Sequence, residues 1–369
     1  MDKRTTNLEL FFDLVFVFAI TQVASLVRSD LTVGGFARGA LVLAMLWWGW
    51  GQFTWAANAI DLEPRGVRLG VLANMGPALI MAQAVPTSFG DGGVWLAASY
   101  AGLRAVALWK YWAGTSGDAM LRHALGNFIR WSSLGPVVFI LGGLVDDPLR
   151  TWVWVGGVVA ELVGAAAAGK TPWRVAPAHF AERHSLIIIV ALGESIVAIG
   201  AGVAGDPPSL KLGTLLLVAL AGSATLWWAY FDWLQEHWEE ALVGAGEHVG
   251  RMARDVYSLL HYPMLFGVVL YAVAGEEAVA HPTEALTPGG RAALALALAL
   301  YLLGQVAATY RASRRLLVDR IAAAAVAVAF TLIAAELIAA WVLAISTGVV
   351  LAALGYEHRN RRGRVASPR

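Results

Sequence analysis

A chain of 369 residues that is 58% hydrophobic and 14% charged, with a mean hydropathy of +0.63, has too little polar surface to coat a soluble globule of its size. Its net charge of +1 comes from 27 Lys and Arg spread over many loops against 26 Asp and Glu, which argues against a nucleic-acid-binding patch. The absence of cysteine excludes disulfides, thiolate chemistry and Cys-based metal sites.

Twelve apolar stretches follow one another, each about the 20 residues that a helix needs to cross the hydrocarbon core. They run near 8–27, 37–60, 67–87, 93–112, 123–145, 150–169, 179–204, 212–234, 252–274, 291–310, 317–334 and 338–356. Runs of this kind must be helical, because in lipid the backbone has to satisfy its own hydrogen bonds. The first stretch carries Glu9 and Asp13 and lacks a small-residue cleavage site, so it reads as a retained helix and not as a signal peptide. Gly, Pro and Asp mark the outer joints at 88–93, 146–148 and 205–209. The 335–338 joint has no turn residues, so 317–356 reads as two helices or as one long bent helix. Of the 27 Lys and Arg, 19 fall at the N-terminus, in every second loop or in the C-terminal tail. Five fall in the alternate loops, and Arg104, Arg130 and Arg183 lie inside apolar stretches. This positive-inside bias places both termini in the cytoplasm.

The order of features repeats. Trp47-Trp48-Gly49-Trp50 in the second stretch matches Trp227-Trp228-Ala229-Tyr230 in the eighth. Arg68 precedes Pro77 by nine residues, as Arg254 precedes Pro263. Leu121-Arg122-His123 to Asn127 resembles Ser313-Arg314-Arg315 to Asp319, and acids open the first and seventh stretches at Glu9, Asp13 and Glu182. The expected fold is therefore all-α and integral to the membrane, with about twelve spans in two parallel six-helix repeats, 1–170 and 171–358, and a basic tail at 359–369. Parallel repeats of this kind build pseudo-symmetric transporters and pores.

Charged side chains inside the bilayer cost about 2.5–3.5 kcal/mol each and need partners or a wet cavity. Glu194 lies about 22 Å along its helix, beyond easy reach of either surface. Gly193 and Gly200 keep one flank slim. It reads as an ion ligand or protonatable carboxylate, or as half of an ion pair with Arg104 or Arg130. Asp13 stands one turn after Glu9 on the same face and invites a cation, or a pair with Arg68 or Arg254. Glu182, Arg183 and His184 open the seventh stretch, where the helix dipole favours an acid. Asp232 closes the eighth and is expected to pair with Arg254 or Arg251. Pro77 and Pro263 read as helix kinks. His179 and His184 are five residues apart, not the four of a helical zinc pair, so no metal site is expected there.

Two longer motifs carry a family resemblance. They are Glu9-Leu10-Phe11-Phe12-Asp13-Leu14-Val15-Phe16-Val17-Phe18-Ala19, and His179-Phe180-Ala181-Glu182-Arg183-His184-Ser185-Leu186 continuing through Ala191-Leu192-Gly193-Glu194-Ser195-Ile196. With Trp228-Ala229-Tyr230-Phe231-Asp232 they resemble the bacterial low temperature requirement protein A family over essentially the whole chain. The family name records a growth requirement in the cold and brings no molecular activity with it. Phe12 to Thr21 is also faintly similar to the pore-helix motif Phe-Ser-Asp-x-Val-Phe-x-Ile-Ala-Ile-Thr of a two-repeat, six-plus-six-helix potassium channel family. The chain departs from that motif in lacking the Ser, in carrying Glu9 where an Arg is expected, and in having no second copy.

The combined expectation is a multi-pass protein of the bacterial cytoplasmic membrane that moves an ion or small solute through a path between the repeats. Asp13 and Glu194 would line the path, with Glu9, Glu182, His184 and Asp232 beside it. Arg68, Arg104, Arg130, Arg183 and Arg254 would supply countercharge. A membrane-embedded enzyme acting on a lipid or isoprenoid, and a non-transporting scaffold, remain as alternatives; the chain has no HExxH or Asp-x-x-Asp motif for the former. Expected partners are membrane lipids and an inorganic cation or small solute, with an oligomer left open, no nucleic acid and no cofactor.

Overall fold

The computed structural model describes residues 3–114, 129–168, 175–205, 207 and 209–365. The repeat segment Leu121–Asn127 and the predicted 170/171 boundary lie outside the described residues. Among the described residues the secondary structure is helices joined by turns and short connections, with one isolated antiparallel bridge between Ala285 and Ile338. Eight helical stretches among the described residues are long and apolar enough to cross a membrane: Asn7–Ser29, Arg65–Thr87, Leu149–Ala166, Pro177–Ala201, Leu210–Val243, Gly246–Ala280, Pro288–Ser313 and Ala339–Arg361. The chain divides into two compact units, Met1–His184 with Val243–Arg254, and Ser185–Leu242 with Asp255–Arg369.

In the first unit, α1 (Asn7–Ser29) packs on α2 (Val33–Ala59) and α3 (Arg65–Ala84). Then α4 (Gly93–Gly114) packs on α2, α3 and α5 (Leu134–Gly143), and α5 pairs with α6 (Leu149–Ala168). Capping fixes the start of α1. Thr6 Oγ1 accepts from the Glu9 backbone N–H at 3.3 Å, and the Glu9 carboxylate accepts from the Thr6 N–H at 2.9 Å. This is a reciprocal capping box, so Glu9 is in part a helix-start residue. Close approach of α5 to α6 rests on glycines. A Cβ on Gly142 would sit 2.4 Å from the Trp154 ring, one on Gly157 2.5 Å from Phe139, and one on Gly135 2.5 Å from the Glu161 side chain.

The helix α7 (Pro177–Ala201) begins in the first unit and continues in the second. In the second unit α8 (Leu210–Phe231) is followed by a short amphipathic helix, α9 (Leu234–Val243), which the apolar pattern does not announce. The central helix α10 (His261–Ala280) is buried almost continuously from Met264 to Gly275 and packs on α8, α11 (Pro288–Ser313) and α13 (Ala339–Val365). A helix apolar on all sides belongs at the centre of a bundle. Gly267 permits its contact with α11, since a Cβ there would lie 2.8 Å from the Ala297 carbonyl.

Two expectations are settled here. The 317–356 region forms two helices, α12 (Val318–Ile333) and α13, because the chain turns at Ala334–Ile338 and the Ala339 N–H donates to the Glu284 carbonyl at 2.8 Å. Pro263 is the third residue of α10 and lies within the longer helical stretch Gly246–Ala280, just after a π-helical turn at Ala253–Leu259. Pro77 lies inside α3. The last helix runs to Val365, so Arg359, Arg361, Arg362 and Arg364 extend α13.

Candidate functional site

The first turns of α1 and α7 carry matching pairs four residues apart: Glu9 and Asp13, His179 and Arg183. The pairs meet in order. His179 Nε2 donates to Glu9 Oε1 at 2.9 Å, and Arg183 grips Asp13 with two nitrogens at 2.5 and 2.8 Å. All four side chains are buried. From α2, Trp50 Nε1 donates to Asp13 Oδ1 at 2.8 Å. Its ring also lies under the Arg183 guanidinium at 5.7 Å, with Phe53 at 5.9 Å. These π faces share the guanidinium charge with the carboxylate.

The hydrogen-bond polarity can be followed from a backbone group whose role is fixed. The Ala176 N–H donates to Asn58 Oδ1 at 2.8 Å, which orients the Asn58 amide. Asn58 Nδ2 therefore donates, to the Ala176 carbonyl at 3.0 Å and to His179 Nδ1 at 2.9 Å. His179 must accept at Nδ1, so the proton it gives to Glu9 is on Nε2. Glu182 faces the chain's beginning and accepts from the Thr5 N–H at 2.9 Å and the Thr5 hydroxyl at 2.8 Å. His184 donates from Nδ1 to the Phe180 carbonyl at 2.9 Å and packs edge-on against Trp47 and Trp50. Lys3 caps the C-terminal end of α2, donating to the carbonyls of Ala57, Asn58 (3.3 Å) and Ile60 (2.6 Å). Burial pushes its ammonium below the usual lysine range, against the opposing pull of Glu9 and Asp61.

Residues 4–355 match the family described as Bacterial low temperature requirement A protein (LtrA). The chain belongs to this family. It is also 28% identical over 286 residues to an uncharacterised protein of Rhizobium meliloti (strain 1021), covering 75% of this chain and 70% of that protein. No solved structure matches. With its long apolar helices, this LtrA chain is a multi-pass helical membrane protein.

The other expected site residues of the LtrA chain are dispersed. Asp13 does not pair with Arg68 or Arg254: Arg183 takes it, and Arg68 bonds Glu63 at the surface. Arg104 pairs with Glu161 on α6 and not with Glu194, and Arg130 is exposed. Glu194 is buried on α7 within the second unit, one residue before Ser195, whose hydroxyl meets Ser223 at 3.1 Å. Gly193 and Gly200 do not bring a neighbour close, since a Cβ on either would meet nothing within 4 Å. Asp232 pairs with Arg361 at 3.2 Å and faces His358 at 3.8 Å, so α13 supplies its partners in place of Arg254 or Arg251. Among the described residues no three His, Asp or Glu side chains gather as metal ligands would.

The sequence marks His261 as an ionisable residue inside an apolar stretch, but neither its partners nor the role of Arg320 in the second unit. His261 Nδ1 donates to the Val256 carbonyl at 2.9 Å within the π-helical turn, so Nε2 accepts from the Tyr230 hydroxyl at 2.7 Å. Arg320 on α12 spends its buried guanidinium on Glu357 at 2.9 Å, the Ala229 carbonyl at 2.6 Å and Gln305. The roles of Asn58 and His179 were also missed. The signal available was the i, i+4 spacing of His179 and Arg183, which mirrors that of Glu9 and Asp13.

Proposed function

We propose that this LtrA protein moves an ion or small solute across the bacterial cytoplasmic membrane, with the Glu9–Asp13–His179–Arg183 network on its path. The observation that carries the reading is that two carboxylates, Glu9 and Asp13, are buried together in one polar network on a helix long and apolar enough to cross a membrane. Intramembrane carboxylates of this sort mark ion pathways. Glu194, also buried in a spanning helix, is the counterpart candidate in the second unit. Twelve spans in two parallel six-helix repeats with both termini in the cytoplasm complete the reading, supported by the alternation of basic loops and the repeated motifs.

The test is flux in proteoliposomes. Purified protein should carry protons or potassium above the level of empty vesicles. Asp13→Asn and Glu194→Gln should each reduce that flux at least about tenfold per folded molecule, with the folded fraction measured in the same vesicles because Asp13→Asn strands the buried Arg183. Wild-type flux in both variants removes these carboxylates from the path, and no flux of either ion removes ion movement itself.

A further inference from the structure

Three helices of the second unit end in the same way. On α8, Trp228 precedes Trp233 by five residues; on α11, Tyr310 precedes Arg315 by five; on α13, Tyr356 precedes Arg361 by five. The three leading aromatic residues are open to the outside, at 49%, 46% and 57% exposure. The three trailing residues converge. The guanidinium carbon of Arg315 lies 4.8 Å from the Trp233 ring and that of Arg361 lies 4.5 Å from it, while Trp233 itself is buried. All three helices reach this point with their C-terminal ends. Their exposed aromatic residues therefore form one level, and the Trp233 cluster forms the next, about 7 Å further out at 1.5 Å per residue. Exposed Trp and Tyr at the ends of apolar helices mark the depth where hydrocarbon gives way to headgroups. The Trp233 level then lies among the headgroup phosphates.

The charge at this level is not balanced among the described residues. Asp232 bonds Arg361 at 3.2 Å and faces His358 at 3.8 Å. Asp255 is taken by Arg311. Arg314 lies over the exposed Tyr310 ring at 5.3 Å. Arg314, Arg315 and Arg359 are exposed, and none of them forms an ion pair with an acid among the described residues. Glu240 on α9 acts on His237, whose Nε2 meets the Ser313 hydroxyl at 2.9 Å, but it pairs with neither Arg315 nor Arg361. A helix C-terminus by itself draws a cation. Two guanidiniums held against one indole also repel each other, and the single carboxylate of Asp232 offsets only one of them.

We propose that Arg315, Trp233 and Arg361 form a headgroup site for an anionic phospholipid between the ends of α8, α11 and α13. Guanidiniums bind phosphate oxygens through paired N–H groups, and basic pockets between membrane-spanning helices hold acidic headgroups. The indole keeps the two cations at fixed places, so little side-chain freedom is lost when a phosphate arrives. The acyl chains lie along the exposed Trp228, Tyr310 and Tyr356. Two arginines at one level suit a lipid with two phosphates, so diphosphatidylglycerol binds more tightly than phosphatidylglycerol. The site is separate from the Glu9–Asp13 network, and its occupancy does not depend on whether the protein transports anything.

The experiment is lipid binding to the purified full-length protein in neutral detergent, read as the unfolding midpoint. The protein is titrated with diphosphatidylglycerol, phosphatidylglycerol, phosphatidylcholine or inorganic phosphate. Tm should rise saturably with the two anionic lipids, at lower concentration for diphosphatidylglycerol, because a ligand that binds only the folded state stabilises it. Phosphatidylcholine and inorganic phosphate should leave Tm unchanged. Arg315→Gln alters an exposed side chain and should keep the lipid-free Tm. It should weaken the apparent affinity for both anionic lipids about fivefold, the weight of one cation near an anionic surface. Lys211→Gln, at the opposite end of α8, should keep the full response. Equal Tm in anionic and neutral lipid, an unchanged affinity in Arg315→Gln, or an equal loss in Lys211→Gln overturns the site. A response to inorganic phosphate as large as that to lipid also overturns it, in favour of a free anion.

Discussion

Asp13 on α1 and Arg183 on α7 form a buried two-pronged ion pair, 170 residues apart in sequence, with the Trp50 indole as a third hydrogen bond. Removing one member leaves the other charged and buried without compensation, which costs about 3–5 kcal/mol. Asp13→Asn and Arg183→Gln should therefore each destabilise strongly. The double variant should cost clearly less than the sum, because neither charge is then stranded. Denaturant unfolding of the two single variants and the double variant checks this. Additive losses would show that the pair is not the unit of stability.

Asn58 makes the network's polarity single-valued. It holds the Ala176 backbone with both ends of its amide and gives His179 Nδ1 a donor. Asn58→Leu keeps similar bulk and strands the Ala176 N–H and the His179 ring nitrogen. Each unmet buried group costs about 1–3 kcal/mol, so a loss of about 2–4 kcal/mol is expected. Hydrogen exchange at the Ala176 amide should rise in the same variant. A protected Ala176 amide in Asn58→Leu would mean that another group holds it.

The positions of most helices were legible in the chain, because an apolar run bounded by Gly, Pro and charge leaves few other structures in lipid. The partners of the buried charges were not. A cation, or a pair with Arg68 or Arg254, was the expectation for Asp13, and Arg183 takes it. The actual mate is set by the register of α1 against α7, and linear spacing carries no register between distant helices. Asp232 fails in the same way: its partners Arg361 and His358 lie on α13, the last helix in the chain. The π-helical turn before Pro263 was invisible because it depends on where the helix restarts at His261. The capping role of Glu9 was readable in Thr6-x-x-Glu9, and its bond to His179 was foreshadowed only by matched i, i+4 spacings.

The glycines between α5 and α6 set how closely these helices approach, and through Gly135 they seat Glu161 against Arg104. Gly142→Val would drive a branched side chain into the Trp154 indole, and Trp154 itself donates to the Phe139 carbonyl at 2.9 Å. Overpacking of this kind costs about 1–3 kcal/mol. Gly193→Val on α7, where a Cβ would meet nothing within 4 Å, should cost less than half as much. Comparing the two Tm values tests whether glycine acts through helix approach or only through backbone entropy. Equal losses would favour entropy.

Lys3 gives a pH dependence with a definite sign. Burial lowers its pKa in the folded state below the 10.5 of a free lysine, the Glu9 and Asp61 charges only partly resisting. Between the lowered value and 10.5 the unfolded chain binds more protons than the folded one. Stability therefore rises with pH through that window and is least favoured below it, where the ammonium is charged in both states. Lys3→Met removes the titrating group and keeps most of the stem that packs at the C-terminal end of α2. The wild-type protein should gain stability relative to Lys3→Met as pH climbs toward 10.5, with no change in their difference at neutral pH and below. Parallel unfolding curves for the two proteins across the alkaline range would show that the Lys3 ammonium is not desolvated at the α2 carbonyls.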